Sequence, residues 1–451
     1  MKTLSPDWRN TLLSMASVLF VSACASYQPL PLNDHPILPD KVSSLHIDTR
    51  QLPFPHFAVH KVDPANGLDM TEVAILAVLN NPGLILARAD AHIVQAQAFA
   101  AGLLPDPQFT LSRDVPTRSG PGVTNAYNAG IAYDINALIT HSAQSDAASA
   151  KVRQANLMLL WQEWQVIARA RMLFSQAYTQ TQLLHWLRQN QHLLAMQYQK
   201  SKHALAQGNL TTVAVDSALV AWQEAERQLD DLQRQQIQAR QDLNTLLGLA
   251  PNVELHLVQS APLAKLSDTA VKQALQDLPQ RRPDLLALKA GYAAQDARYR
   301  QAILAQFPAF NLGITQAQDT AGLKTNGFSI VLTLPLFNGN RGIIKIEQAT
   351  RARLHDEYEI RLNTARADVL RLLEDRRLIQ AQFDLLEQHL PSLDQAADRA
   401  RTALANGAID TSGYVSFESV RIAKHMEMVN LQQALLENKI SLLTLAGGDI
   451  S

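Results

Sequence analysis

Apolar side chains recur every three or four positions through two stretches, Ser142 to Ala206 and Arg341 to Ala405, each roughly 65 residues long. Leu160, Trp164, Ile167, Phe174 and Tyr178 follow this rhythm in the first, with Arg171 occupying one place, and Leu184, Leu187, Leu194 and Tyr198 continue it. In the second, Leu372, Ile379, Phe383, Leu386 and Leu390 do the same, with Arg376 in the series. The spacing predicts two very long helices packed in a coiled-coil manner. At about 1.5 Å per residue each reaches roughly 100 Å, far beyond an ordinary globular helix. Only Pro391 is expected to interrupt the second. The polar interruptions point to helices arranged in a ring beside water rather than around a dry core. Gly208 and Gly407 suit the left-handed C-cap at which each helix reverses. A return helix follows, to about Leu247 and Leu445.

A different period precedes each long helix. In Gln108–Ile135, Tyr127, Ala129, Ile131, Tyr133 and Ile135 alternate with Asn128, Gly130, Ala132 and Asp134. In Ala309–Leu334, Phe310, Leu312 and Ile314 alternate with Asn311, Gly313 and Thr315, and Phe328, Ile330, Leu332 and Leu334 alternate with Ser329 and Thr333, with Val331 breaking the polar side. Two hairpins are predicted, the first turning at Ser119-Gly120-Pro121-Gly122. Strands of about nine residues with one apolar and one small polar side fit a membrane barrel. A soluble sheet covering a core would alternate in the same way. Four strands cannot close a barrel, and open edges are not tolerated in lipid. The membrane reading therefore requires several copies, and three would supply twelve strands.

The chain states its pattern twice. Asn81-Pro82-Gly83-Leu84 matches Arg282-Pro283-Asp284-Leu285 at an offset of 201. Leu205-Ala206-Gln207-Gly208 matches Leu404-Ala405-Asn406-Gly407, and Thr245-Leu246-Leu247-Gly248 matches Thr444-Leu445-Ala446-Gly447, both at 199. So regular an offset marks a structural duplication, which dictates the whole fold. The expected organisation is residues 1–23 as a signal peptide, 24–68 as an extended leader, 69–250 as the first repeat, 251–280 as a connector and 281–451 as the second repeat. The fold class is mainly α with membrane β-strands.

Composition narrows the function. Among 451 residues the formal net charge is −1, which argues against a nucleic-acid surface. Mean hydropathy is −0.09 and no internal apolar run approaches 18 residues, so a bundle of transmembrane helices is excluded. The single cysteine, Cys24, follows Val21-Ser22-Ala23 and an apolar run from Leu12 to Phe20, with Lys2 and Arg9 ahead of it. This is a secretory signal ending in a tetrapeptide that resembles a bacterial lipobox, in which Cys24 would carry the acyl chains. An ordinary signal peptide with an incidental cysteine is the alternative. Ala25 and Ser26 lack the aspartate that retains lipoproteins at the inner membrane, so the outer membrane is the expected destination. The 13 histidines form no metal-ligand cluster: His185 and His192 share a helix face but lie roughly 10 Å apart along its axis. No phosphate-binding loop or nucleophile elbow occurs, and neither an enzyme nor a resident cofactor is expected. Trp161, Trp164 and Trp186 are read as packing residues.

These landmarks, together with Leu334-Pro335-Leu336-Phe337-Asn338-Gly339-Asn340-Arg341-Gly342 at the head of the second long helix, resemble the TolC family of outer membrane efflux proteins in its lipidated branch. The Asn338–Gly342 stretch is similar to the heavy-metal (cation) exporters within it. The resemblance implies a homotrimer with a twelve-stranded barrel in the outer membrane and a helical coiled-coil tunnel across the periplasm. It implies passive conduction of metal cations or drugs delivered by an inner-membrane pump of the RND type through a periplasmic adaptor. The adaptor would grip the tips Gln207, Gly208, Asn209, Leu210 and Asn406, Gly407, Ala408, Ile409. Some members place an acidic residue six positions after each tip glycine. This chain has Ala214 and Gly413 there, which leaves Asp410 and Tyr414 as gate candidates, with Asp410 serving equally well as a helix N-cap. The rival reading is a periplasmic coiled-coil scaffold or adaptor lipoprotein without a pore.

Overall fold

A computed structural model describes residues 26–447, apart from 36, 53, 55, 56, 58, 119, 260–262 and 264–266. The signal peptide and Cys24 lie outside the described residues. Residues 1–38 and 39–451 form separate units. In the first, the described residues 26–38 contain no helix or strand.

After short 3-10 turns at Val42–Ser44, Thr49–Gln51 and Pro64–Asn66, the second unit continues with helix α1, Met70–Asn80, whose sequence is largely apolar. Its start is fixed by a reciprocal capping box. Asp69 Oδ1 accepts from the backbone N–H of Thr71 and Glu72 at 2.8 Å each, and Glu72 Oε2 accepts from Asp69 N–H at 3.0 Å. Val73 to Val78 are all fully buried, so α1 is the centre of a core rather than a surface element. Around it pack Ala170, Leu173 and Phe174 of the first long helix and Leu243 and Leu247 at the end of its return helix. Helix α2, Pro82–Ala101, follows after a 46° bend. Proline at its first position forces the break, because Pro disfavours helical geometry in the residue before it.

Strands β1 (Gln108–Asp114) and β2 (Ala126–Asp134) come next, then helix α3 (Ile135–Ala206) and its return helix α4 (Thr212–Leu246). The second repeat has the same order: short helices α5 (Asp268–Gln276) and α6 (Leu278–Arg281), then α7 (Pro283–Leu304), strands β3 (Ala309–Gln318) and β4 (Lys324–Thr333), long helix α8 (Arg341–Ala405) and return helix α9 (Thr411–Leu445). Helix α3 has 72 residues, or roughly 108 Å, and α8 has 65.

Two local expectations are corrected. Helix α3 begins at Ile135, not near Ser142, and Ile135 is helical rather than the last residue of a strand. The cause is Asp134, whose Oδ1 accepts from the N–H groups of Asn136 at 2.9 Å and Ala137 at 3.3 Å, capping the helix directly off the strand. Pro391 does not interrupt α8, which is helical on both sides of it. The stripe named in the sequence is half-buried over much of its length: Phe174, Leu184, Leu187 and Leu386 are buried, while Trp164, Ile167, Leu194, Leu372 and Phe383 are only partly covered. One chain thus leaves much of its helical seam open.

The two repeats join in one antiparallel sheet of order β1-β2-β3-β4. Strand β2 of the first repeat pairs with β3 of the second from Tyr127–Gln318 to Asp134–Asn311. Among the described residues strands β1 and β4 each have one partner, which leaves both outer edges of the sheet unpaired there.

Candidate channel wall and helix tips

The pairing register places like residues in rows. Phe109 lies opposite Ile131, Ile131 opposite Ile314, and Ile314 opposite Phe328. The next row towards the helices is Tyr133, Leu312 and Ile330, and the one after that is Phe310 and Leu332. Most of one sheet face is therefore apolar, with Phe109, Leu111, Ile314, Phe328, Ile330 and Leu332 exposed on it, and Gln316 and Asn326 begin its polar margin in the row of Leu111 and Ala129. The opposite face carries Thr110, Ser112, Asn128, Gly130, Asn311, Gly313, Thr315, Gly327 and Ser329. At the hairpin end the apolar face stops at a row formed by Arg113, Tyr127, Gln318 and Lys324. An exposed apolar face of this size opposite a small polar one is the dyad pattern of a barrel wall, lipid on one side and water on the other. A soluble sheet would have covered it.

At the far end, both long helices terminate in the same hydrogen-bond geometry. Asn209 N–H donates to Ala204 C=O at 2.9 Å and Gly208 N–H to Leu205 C=O at 2.9 Å; Ala408 N–H donates to Ala403 C=O at 2.8 Å and Gly407 N–H to Leu404 C=O at 3.1 Å. These are Schellman motifs, which need a left-handed residue at the reversal. Gly208 and Gly407 supply it with φ of 73° and 71°. Gln207, Gly208, Asn209, Asn406, Gly407 and Ala408 are exposed, and Leu210 and Ile409 half-buried. The predicted tips therefore stand at two free helix turns.

The two gate candidates separate. Asp410 is the N-cap of α9, its Oδ1 accepting from Gly413 N–H at 2.7 Å. Thr211 occupies the matching position of the first repeat and caps α4 through Ala214 N–H at 3.4 Å. Tyr414 instead packs beside Leu193, Val415 and Ile422, and its hydroxyl is bonded to Arg401 of α8, which raises the guanidinium pKa.

Close by lies a polar cluster the sequence did not single out. His425 Nε2 meets Asp394 Oδ1 at 2.8 Å while its ring stacks on Trp186 at 4.5 Å. Arg421 lies over the same indole at 5.5 Å and binds Glu418 at 2.6 Å. Its pKa is raised, chiefly by the Glu418 hydrogen bond. Trp186 belongs to α3, Asp394 to α8 and the others to α9, so the cluster ties three helices. Glu418, Arg421 and His425 share a helix face by spacing alone, which was the available signal. Their partners on other helices were not readable. Among the described residues no group of three His, Cys, Asp or Glu side chains could hold a metal ion.

Residues 274–448 match the family described as outer membrane efflux protein. That match covers less than half of the chain. Its fold is shared by solved outer membrane channels. It resembles the channel OprN with a TM-score of 0.71 at 17% identity, covering 95% of this chain and 100% of that one. It resembles Campylobacter jejuni CmeC with a TM-score of 0.71 at 15% identity, covering 94% and 95%. Two curated relatives are the cation efflux system protein CusC of Escherichia coli K12, 25% identical over 61% of this chain and 63% of its own length, and the probable outer membrane lipoprotein SilC of Salmonella typhimurium, 27% identical over 37% and 38%. The chain thus spans less than two thirds of the length of either of these relatives.

Proposed function

We propose that this protein is an efflux channel, a trimeric exit duct of the outer membrane, reaching into the periplasm and passively conducting cargo. The observation that carries this is the four-stranded sheet with one exposed apolar face and two unpaired edges. In lipid those edges must pair, and only closure with further copies pairs both. Three copies give twelve strands. The half-buried seams of α3 and α8 would be covered at the same time, forming a helical wall around the tunnel.

The remaining roles follow from position. The exposed turns Gln207–Leu210 and Asn406–Ile409 are the surface offered to a periplasmic adaptor, which would couple the duct to an inner-membrane pump of the RND type. Tyr414, bonded to Arg401, is the better of the two gate candidates, because Asp410 is occupied as a cap. Cys24 would carry the lipid. Relatives described as cation efflux proteins support a metal cation as cargo over a drug. The test is extraction of outer membranes, sizing and single-channel conductance. A trimer that conducts is expected; a monomeric, non-conducting species would overturn the proposal. Palmitate labelling that persists in Cys24→Ala would refute the lipid site, and unchanged sensitivity of a deletion strain to silver, copper and zinc would refute the cargo.

A further inference from the structure

We propose that the loop from Leu334 to Phe337 is a membrane hook, which seats in the periplasmic leaflet of the outer membrane and fixes the depth of the channel. This deepens the proposed function and rests on the apolar sheet face being lipid-facing.

The loop exists in one repeat only. In the first repeat, β2 runs straight into α3 at Ile135. In the second, β4 ends at Thr333 and α8 begins at Arg341, so seven residues stand where the first repeat has two helical turns. The loop is held at several points. Leu336 N–H donates to Leu334 C=O at 2.9 Å, Arg341 N–H to Asn338 C=O at 3.1 Å, and Asn340 Nδ2 to Ala302 C=O at 2.8 Å. Gly339 and Asn340 are both left-handed, with φ of 51° and 55°, which turns the chain sharply into the helix. So fixed a loop should hide its apolar side chains, yet Leu334 is 59% exposed, Leu336 75% and Phe337 99%.

Length decides what covers them. On β4 the apolar face runs from Phe328 to Leu332, about 13 Å of extended chain and about 10 Å of height once tilted in a barrel. A lipid-facing band is about 25 Å tall, so the strand supplies less than half of it. Leu334 continues the alternation of Phe328, Ile330 and Leu332 and brings the apolar run to about 20 Å of chain and about 15 Å of height, and Leu336 and Phe337 lie beyond it in the turn that Leu336 N–H closes on Leu334 C=O. Leu103, Leu104 and Phe307, in the loops entering β1 and β3 at the same end of the sheet, are also exposed. They carry the band around the wall. Towards the hairpins it cannot extend, because Arg113, Gln318 and Lys324 end it there. The missing apolar height is therefore on the helix side, where the hook projects.

Nitroxides placed at Phe337→Cys and, separately, Leu336→Cys in the full-length trimer in lipid vesicles test this, with the unlabelled-site background subtracted. Leu332→Cys and Ser329→Cys serve as references for lipid and lumen. Relaxation by oxygen relative to a water-soluble nickel complex should match the Leu332 label and exceed the Ser329 label severalfold. A hook label relaxed mainly by nickel overturns the proposal. So does one reached by neither agent, which would mean a neighbouring protomer covers it. If the Leu332 label is itself relaxed mainly by nickel, the lipid-facing reading of the sheet fails and the hook fails with it.

Discussion

The side-chain amide of Asn81 donates to the backbone carbonyl of Leu246 at 2.9 Å, closing the first repeat on its own beginning. The second repeat closes at the matching place, where the Arg282 guanidinium reaches the carbonyl of Leu445 at 3.4 Å. Each bond satisfies a carbonyl at a helix end that has no partner within its helix. The chemistry differs between the copies. Asn81 also caps α2 by accepting from Leu84 N–H at 3.0 Å. Arg282 instead forms a two-pronged pair with Asp284, at 3.0 and 2.8 Å, beneath the ring of Trp161 at 5.0 Å.

The side chains of Arg282 and Asp284 are only 4% and 6% exposed. Arg282→Ala should cost about 3–5 kcal/mol, because it strands the carboxylate in the interior. Replacing both, Arg282→Met with Asp284→Leu, should cost much less. Asn81→Ala, which loses a neutral cap and one hydrogen bond, should cost about 1–3 kcal/mol. Denaturant unfolding of the three variants ranks them, and a double variant as unstable as Arg282→Ala would contradict the assignment.

Identical backbone angles should not give identical costs at the glycines. At Gly208, φ 73°, a Cβ would meet nothing within 4 Å, so Gly208→Ala carries only the left-handed strain of about 1 kcal/mol. At Gly248, φ 71°, it would lie 2.9 Å from the carbonyl oxygen of Asn80. Gly248→Ala should therefore be clearly the more damaging, read as a lower thermal midpoint.

Charge on the two sheet faces should be tolerated unequally. Ile330→Arg, on the apolar face, should cost about 2–4 kcal/mol and reduce the folded trimer recovered from outer membranes. Ser329→Arg, one residue away on the polar face, should leave assembly intact and change conductance. Equal effects at the two positions would remove the distinction between lipid and lumen.

Lys439 gives a pH test. Its ammonium donates to the Leu263 carbonyl at 2.6 Å, and burial, followed by the charge of Arg376, holds its pKa below 10.5. The folded chain thus holds this proton less tightly than the unfolded chain. The charged form costs stability below the folded pKa, and the cost disappears as pH rises towards 10.5. Wild type should gain on Lys439→Met across that alkaline window and run parallel to it near neutrality, in denaturant midpoints taken at several pH values.

The tip-proximal cluster should matter less for stability than its many contacts imply. The Asp394 side chain is partly open to solvent, so Asp394→Asn should change stability by about 1 kcal/mol or less. Its effect should fall instead on how tightly α8 and α9 hold α3, measured as faster amide exchange near Trp186.

The sequence by itself determined the duplication, the long helices with their glycine reversals, the two hairpins and the alternation along each strand. All are local periodicities, written by which side chains must face the same way along one element. It also marked Asp410 as a possible cap, since an acid ahead of a helix carries that meaning without any partner. Only the tertiary structure decided which rows of strand residues align, because the β2–β3 register joins segments nearly two hundred residues apart. It alone paired Asn81 with Leu246, put Arg282 beneath Trp161 and brought Trp186, Asp394 and His425 together. It also showed that Asp134 starts α3 directly off its strand, whereas Leu334–Asn340 interposes a fixed, exposed loop before α8. These contacts depend on where distant elements stop and how they pack, and no periodicity along the chain encodes that.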